Sequence, residues 1–526
     1  MRKKVLWVVI ILLGIIRVPA SAQVTMGTDF WVSFGDNSRF SAGVVNLQIK
    51  VAAYEATEVR FTFTENGSTS TASIAAGEAY LFDIPSGLAD AVYYDWSTGT
   101  AISSKSLRIQ SDKPVHVYAL NQRLNSSDAT NLFPVNTLGT DYHHISYIPM
   151  VGSDGYTIVA TENGTAIYDN GDTISLSKGQ VYSHYGPFAV ALGEDFTGRQ
   201  ITSNKPVAYF VTNTASFIPL PTIMYGENLF QQLMPVNAWG KEIVVPVTRR
   251  EVERVRIVAS QDSTTITQTG GIVQAGGSGT LPTLYKGQFV ELEIKLATGG
   301  CYISADKPVG VCSYLVGMQH PSVPTPKTGD PSIAMVPSVE QFVDATTIAP
   351  FVPNDRTTID EHYALLVTST AGLNETTMSI GRARPISLKD STWISSSNPE
   401  YSFCNIELSD ATQSYTFANP GRLAILGYGV GPYESYYYLA ASAVRNSYTD
   451  IKVPASLAGS VSVTNGTLYL KGFSGNVSLD IYNLAGRKLA GYEAVSGSVP
   501  VSLDKGIYIV KVKDKGKSFS YKITKN

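Results

Sequence analysis

A chain of 526 residues is longer than one hydrophobic core usually serves, so several domains are expected. Apolar residues make up 44% and charged residues 16%, with 30 Tyr, 45 Gly and 26 Pro, which excludes a disordered or collagen-like chain and favours strands joined by tight turns. Residues 23–450 hold 25 basic against 39 acidic groups, which argues against nucleic acid as a partner, whereas residues 451–526 hold 11 basic against 4 acidic.

Arg2, Lys3 and Lys4 precede a 12-residue apolar run from Val5 to Ile16, and Ala20-Ser-Ala22 offers small residues for cleavage. This is the pattern of a signal peptide over 1–22, cut between Ala22 and Gln23. No other stretch approaches the roughly 20 apolar residues of a membrane-crossing helix, so none is expected in the mature chain.

A short motif is then written three times: Ile109-Gln-Ser-Asp-Lys-Pro-Val115, Ile201-Thr-Ser-Asn-Lys-Pro-Val207 and Ile303-Ser-Ala-Asp-Lys-Pro-Val309. Each copy reads as a β-hairpin that turns at Lys113-Pro114, Lys205-Pro206 or Lys307-Pro308 before a Val- and Tyr-rich strand. Leu132-Phe-Pro-Val-Asn136 and Leu233-Met-Pro-Val-Asn237 keep phase with it, and Met335-Val-Pro337 follows weakly. The spacing, 92 and then 102 residues, is that of a β-sandwich. The predicted fold is all-β: tandem Ig-like β-sandwich modules over 23–131, 132–226, 227–332 and, more diverged, 333–450, in an extended row. Pro420-Gly-Arg-Leu-Ala-Ile425 reads as a worn fourth copy of the motif. Residues 451–526 add about six short strands, enough for a small separate β-sandwich.

If the third motif turns between Asp306 and Lys307, Cys301 faces Cys312, and a cross-strand disulfide and two buried free thiols are the alternatives. Cys404 has no evident partner. No nucleophile elbow, zinc-protease helix or Cys-x-x-Cys pair occurs, so no catalytic residue, metal site or cofactor is assigned. His143 and His144 point to opposite faces of a strand and read as structural. Asp360-Glu361-His362 reads as a solvated acidic loop, and 121–131 as a calcium loop or a side-chain-capped turn. Arg249-Arg-Glu-Val-Glu-Arg-Val-Arg256 puts four arginines together, which either grip an anionic glycan or sialic acid, with Arg254 and Arg256 as the candidate contacts, or pair with Glu251 and Glu253 along a strand face. The Tyr433-Glu-Ser-Tyr436-Tyr437-Tyr438 run is either a binding surface or a core strand with alternate rings buried.

The opening Gly27-Thr-Asp-Phe-Trp-Val-Ser-Phe-Gly-Asp-Asn37, the Lys-Pro-Val motifs, Leu132-Phe-Pro-Val-Asn-Thr-Leu-Gly-Thr-Asp-Tyr142 and the aromatic close at Tyr433–Tyr438 together resemble the IgGFc-binding protein N-terminal domain family over about 26–445. The resemblance implies a secreted or surface binding protein whose partner is a host glycoprotein, Fc- or mucin-like, or a glycan. It carries over no ligand-contacting residue. Asp480-Ile-Tyr-Asn-Leu-Ala-Gly-Arg-Lys-Leu489 and Leu503-Asp-Lys-Gly-Ile-Tyr-Ile-Val-Lys-Val512 resemble the C-terminal sorting domain of type IX secretion cargo. That implies a Bacteroidota source, export through the periplasm to the cell surface, and recognition by the secretion machinery and a sortase-like peptidase. The expected function is non-catalytic binding or adhesion; a structural surface component and, less favoured, a glycan-acting enzyme are the alternatives.

Overall fold

The computed structural model describes residues 23–37, 44–444 and 460–525, apart from 96, 98, 221–224, 275–280, 325–327, 354–358, 465, 472, 474–475, 484–487, 505 and 515–516. The signal segment and Ala22 fall outside these residues. The chain divides into two units, 1–446 and 447–526.

The first unit contains four antiparallel sheets, each built on one long strand: Leu107–Arg123, Gln200–Ser216, Cys301–Leu315 and Tyr415–Gly431. The repeated motif sits in the middle of these strands, which corrects the hairpin expectation at Lys113-Pro114, Lys205-Pro206 and Lys307-Pro308. In the first sheet, Leu107 to Ser111 lies between strands Gly27–Val32 and Thr57–Phe63, and Val115 onward lies between Asn46–Ala53 and Ser126–Leu132. Only Asp112, Lys113 and Pro114 lack ladder partners, and the same is true of 204–206 and 306–308. The motif is therefore a corner at which one strand leaves two neighbours and takes up two others. Proline fits there because its missing N–H has no ladder bond to make. In the fourth sheet the gap is one residue longer, 419–422, and Arg422 takes a positive φ of 72°.

Lysine has its own task at the corner. Lys205 Nζ donates to the carbonyl of Asn163 at 2.5 Å, and Lys307 Nζ to those of Asp262 and Ser263 at 2.8 and 2.7 Å. Each thereby ties the corner to the preceding turn, whose carbonyls no strand can satisfy. With the long strand continuous, Cys301 and Cys312 lie eleven positions apart along it, beside Val245 and Arg256, and both thiols are free and buried, as is Cys404.

After each long strand comes an inner strand: Ser126–Leu132, Glu227–Gln232, Ser332–Met335 and Glu434–Leu439. Every residue of all four is buried. They meet one another in cyclic order, so the four sheets close into a ring instead of the expected row. Gln23–Val24 pairs with Ala443 and Val444, and Tyr118 Oη donates to the carbonyls of Thr347 and Ala440, which joins the first sheet to the fourth. Glycines let neighbouring modules approach: a Cβ on Gly27 would lie 2.3 Å from Pro134, on Gly139 2.4 Å from Pro235, and on Gly240 2.3 Å from Ser338.

The inner strands also redraw the expected module limits. Glu227–Gln232 belongs to the second sheet and Ser332–Met335 to the third, while Ala101–Ser103 extends the second sheet. The second unit is a three-stranded and a four-stranded sheet around Leu468, Leu479, Ile481, Val510 and Val512.

Candidate functional site

The arginine run shows how the ring divides structural from available side chains. In an alternating strand, Arg254 and Arg256 share a face, and here that face is covered. Arg256, 2% exposed, pairs with Asp195 at 2.8 Å and Glu291 at 3.1 Å and donates to the Ser146 carbonyl at 2.7 Å. Its guanidinium also lies over Tyr147 and Phe289 at 4.1 and 4.7 Å. Arg254 pairs with Glu293 at 3.1 Å and is 7% exposed. Arg256 ties the third sheet to the second module, Arg254 pairs within the third sheet, and neither offers a binding surface.

Arg249 and Arg250 are differently placed, in the turn before strand Val252–Ala259, where Glu251 has a φ of 68°. With Glu251, Val323, Thr328, Glu361, Tyr363, Tyr428 and Val430 they line a cleft of about 380 Å³ between the third and fourth sheets. Arg249 is exposed and lies over the Tyr363 ring at 5.1 Å, with Nη1 donating to the Tyr363 hydroxyl at 3.2 Å. That hydroxyl donates to Glu361 at 2.7 Å, and the Tyr363 ring stacks on Tyr428 at 5.0 Å. Tyr428 accepts from the Arg249 backbone N–H and donates to Asn405.

At the cleft floor Arg250 is 4% exposed. Its Nη2 donates to the Val316 carbonyl, while Nε and Nη1 meet no acceptor among the described residues. Burial lowers its pKa to about 10, opposed by the charges of Asp330 and Glu253. At any physiological pH it remains a cation. Gly329, at φ +75°, makes room for it, because a Cβ there would lie 2.6 Å from Nη1.

The tyrosine run is a core strand on both faces. Tyr436, Tyr437 and Tyr438 are all at or below 1% exposure: Tyr436 Oη meets His362 Nδ1, Tyr437 faces Glu253, and Tyr438 packs on Tyr118. Tyr433 alone is open, 45% exposed, with its ring 5.5 Å from exposed Tyr225. The alternation rule misses this strand because a ring of four sheets buries both faces of its inner strands.

The centre of that ring went unread in the sequence. Asp128, fully buried, accepts backbone N–H bonds from all four inner strands: Ala129 at 2.9 Å, Phe230 at 3.0 Å, Ile333 at 3.2 Å and Tyr437 at 3.3 Å. Burial raises its pKa well above the ordinary carboxylate range, and the four donors draw it back. Near the start of the other inner strands lie Glu227, Asp330 and Glu434, all buried. Burial raises Glu227 well above the usual value, and Asp330 to about 6. Within 121–131, Asn125 adopts φ 59° and its N–H donates to Glu434 at 2.7 Å, which is a side-chain-capped turn. No group of His, Cys, Asp and Glu among the described residues has metal-binding geometry.

The polar knot most like a hydrolase triad is closed to substrate. Ser146 donates to Asp154 at 2.7 Å, not to histidine; His144 Nε2 also meets Asp154, Nδ1 meets Tyr209, and all are buried. His143 turns away to the Gly198 carbonyl.

Among known proteins, the IgGFc binding protein family profile matches residues 23–190 and 128–429. The human IgGFc-binding protein (Homo sapiens) is 25% identical over 350 residues, 63% of this chain but 6% of that protein's length. Among solved structures, a glycoside hydrolase family 32 protein from Bifidobacterium adolescentis aligns at 9% identity over 79% of this chain and 96% of its own, with a TM-score of 0.13, a likeness that carries no argument. No helix among the described residues is long and apolar enough to cross a membrane.

Proposed function

Because the chain belongs to the IgGFc-binding protein family, matched over most of the four-sheet unit, we propose that it is an exported, non-catalytic binding protein that takes its ligand in the cleft between the third and fourth sheets. The observation that carries this reading is the cleft itself: a recess lined by Arg249 and Arg250, Glu251 and Glu361, and the rings of Tyr363 and Tyr428. Its polar groups are held by one another, which suits recognition; there is no nucleophile–base pair among them. The ligand in view is a host glycoprotein or its glycan.

The tail reading belongs with this proposal. Residues 460–525 hold a three-stranded and a four-stranded sheet, and on the type IX sorting resemblance the basic tail 451–526 would direct export through the periplasm to the surface before removal. Mass spectrometry of surface-shed protein should find no peptide from Gly506 to Lys525; recovery of those peptides from the mature protein would rule out removal. For the binding role, the full exported chain is passed over immobilised IgG Fc, mucin and a glycan panel. Saturable binding to at least one, weakened by Arg249→Gln, is expected. Silence on all of them would replace the adhesive reading with a structural one.

A further inference from the structure

The third inner strand begins at Ser332, and the bond just before it, Asp330–Pro331, is the one Asp-Pro bond in the chain. Such a bond places a carboxyl group within reach of its own residue's backbone carbonyl carbon, on a tertiary amide whose nitrogen carries no N–H. Both residues are buried. The Asp330 carbonyl is already polarised: Ser435 Oγ, from the fourth inner strand, donates to its oxygen at 2.6 Å. Because the Ser435 proton is spent there, Ser332 Oγ, 2.7 Å away, donates to Ser435 in turn. Negative charge developing on that carbonyl oxygen would meet a donor held in place by two strands of the ring.

The carboxyl is equally well set. Its Oδ1 meets no donor among the described residues and is free to turn onto the carbonyl carbon. Burial raises the Asp330 pKa to about 6, opposed by the charge of Arg250, so the group holds a proton under mildly acidic conditions. Glu227, the other carboxyl that faces it, is pushed well up by burial and has Glu434 beside it, while Glu253 stands across Arg250. Thr328, two residues before Asp330, lines the open cleft, which gives water a route towards the bond.

We propose that the chain cuts itself once, at Asp330–Pro331, through attack of the Asp330 carboxyl on its own backbone carbonyl. A carboxyl oxygen adds to the carbonyl carbon and closes a five-membered cyclic anhydride. The bond to the Pro331 nitrogen breaks, and that nitrogen takes the carboxyl proton. Water then opens the anhydride, leaving two carboxyl groups on Asp330 and a secondary amine at Pro331. One peptide bond and one water are consumed. Strand Ser332–Met335 stays paired with Cys312–Leu315 after the cut, so the ring persists as two chains. The reaction goes beyond ligand binding and asks nothing of the cleft's ligand.

The test incubates the full exported chain at about pH 5 and about pH 8, then reads it by denaturing gel and intact-mass spectrometry. Two fragments are expected, one ending at Asp330 and one beginning at Pro331, and they should elute together in gel filtration without denaturant. Their rate should be first order, independent of protein concentration, and at least about tenfold faster at the lower pH. Asp330→Ala and Pro331→Ala should stop the cut. Ser435→Ala, with its melting temperature measured alongside, should slow it at least about tenfold. Should these variants fail to fold, the native sequence held unfolded in urea at the lower pH takes their place: without the Ser435 donor it should stay whole over the same period. An uncut chain, cleavage at another bond, a rate that rises with protein concentration, or equal cutting in folded Ser435→Ala or in urea overturns the proposal.

Discussion

At the scale of single residues, the chain separates charge that builds from charge that waits. Arg256 sits among Asp195, Glu291 and the Ser146 carbonyl, so truncating it leaves two carboxylates short of a partner in a closed interface. Arg256→Ala should lower unfolding free energy by about 3 kcal/mol in denaturant titration, with ligand capture per folded molecule unchanged. Glu253 makes a pH prediction. Burial raises its carboxyl from 4.5 to about 7, despite bonds from the Thr248 N–H and the Ser313 hydroxyl. The folded chain then keeps a proton that the unfolded chain has released, so this contribution is complete below pH 4.5 and is lost as pH rises to about 7. Compared with Glu253→Gln, the native chain should lose roughly 3 kcal/mol across that interval and level off above it. His116 and His362, buried with pKa near 4, act in the opposite sense between about 4 and 6.5, but they are common to both proteins and cancel in the comparison. The arginine run was visible in the sequence as a cluster; that Arg256 faced another module was not, because its partner is Asp195, some sixty residues away. Arg250 gave no signal at all, since its isolation depends on Gly329 and Asp330 in another loop.

At the scale of elements, the Lys-Pro-Val repeat was legible as a landmark and misread as a turn. A β-hairpin and a strand that changes partners at a corner both place an unpaired Pro between two apolar runs. What distinguishes them is whether the runs pair with each other, and that is decided by strands about 35 to 90 residues upstream. Alignment of the three copies marked the lysine without revealing its partners, which for Lys205 and Lys307 are the carbonyls of Asn163, Asp262 and Ser263. Lys307→Met should cost about 1 kcal/mol, read as a fall in denaturation midpoint, while Lys178→Met, on a side chain at no corner, should cost less than half of that. The corrected corner also disposes of the cysteine pairing. Cys301 and Cys312 flank the bend on one strand, so thiol titration of the unfolded, unreduced chain should return all three cysteines; recovery of only one would restore the bridge.

At the scale of the whole four-sheet unit, the all-β class and the hundred-residue period were readable because they are local: alternation, turn residues and repetition. Closure was not, because it depends on four segments that look unlike one another in sequence, Ser126–Leu132, Glu227–Gln232, Ser332–Met335 and Glu434–Leu439. The polar residues of the first suggested a loop, yet all four lie at the centre, where Asp128 accepts an N–H from each strand. Closure also makes the candidate site. Thr328 and Gly329, which shape the cleft around Arg250, lead directly into the third inner strand, so the cleft inherits its rigidity from the axis. Replacing Asp128 by Ala leaves three donors from other strands unmatched in a dry interior, a loss of several kcal/mol if each costs 1–3. Hydrogen exchange measured by mass spectrometry on this variant is the most direct test of the ring. We predict that amide protection falls together in all four inner strands, around Ala129, Phe230, Ile333 and Tyr437. Loss confined to Ser126–Leu132, with the other three strands as protected as in the native chain, would contradict a shared axis.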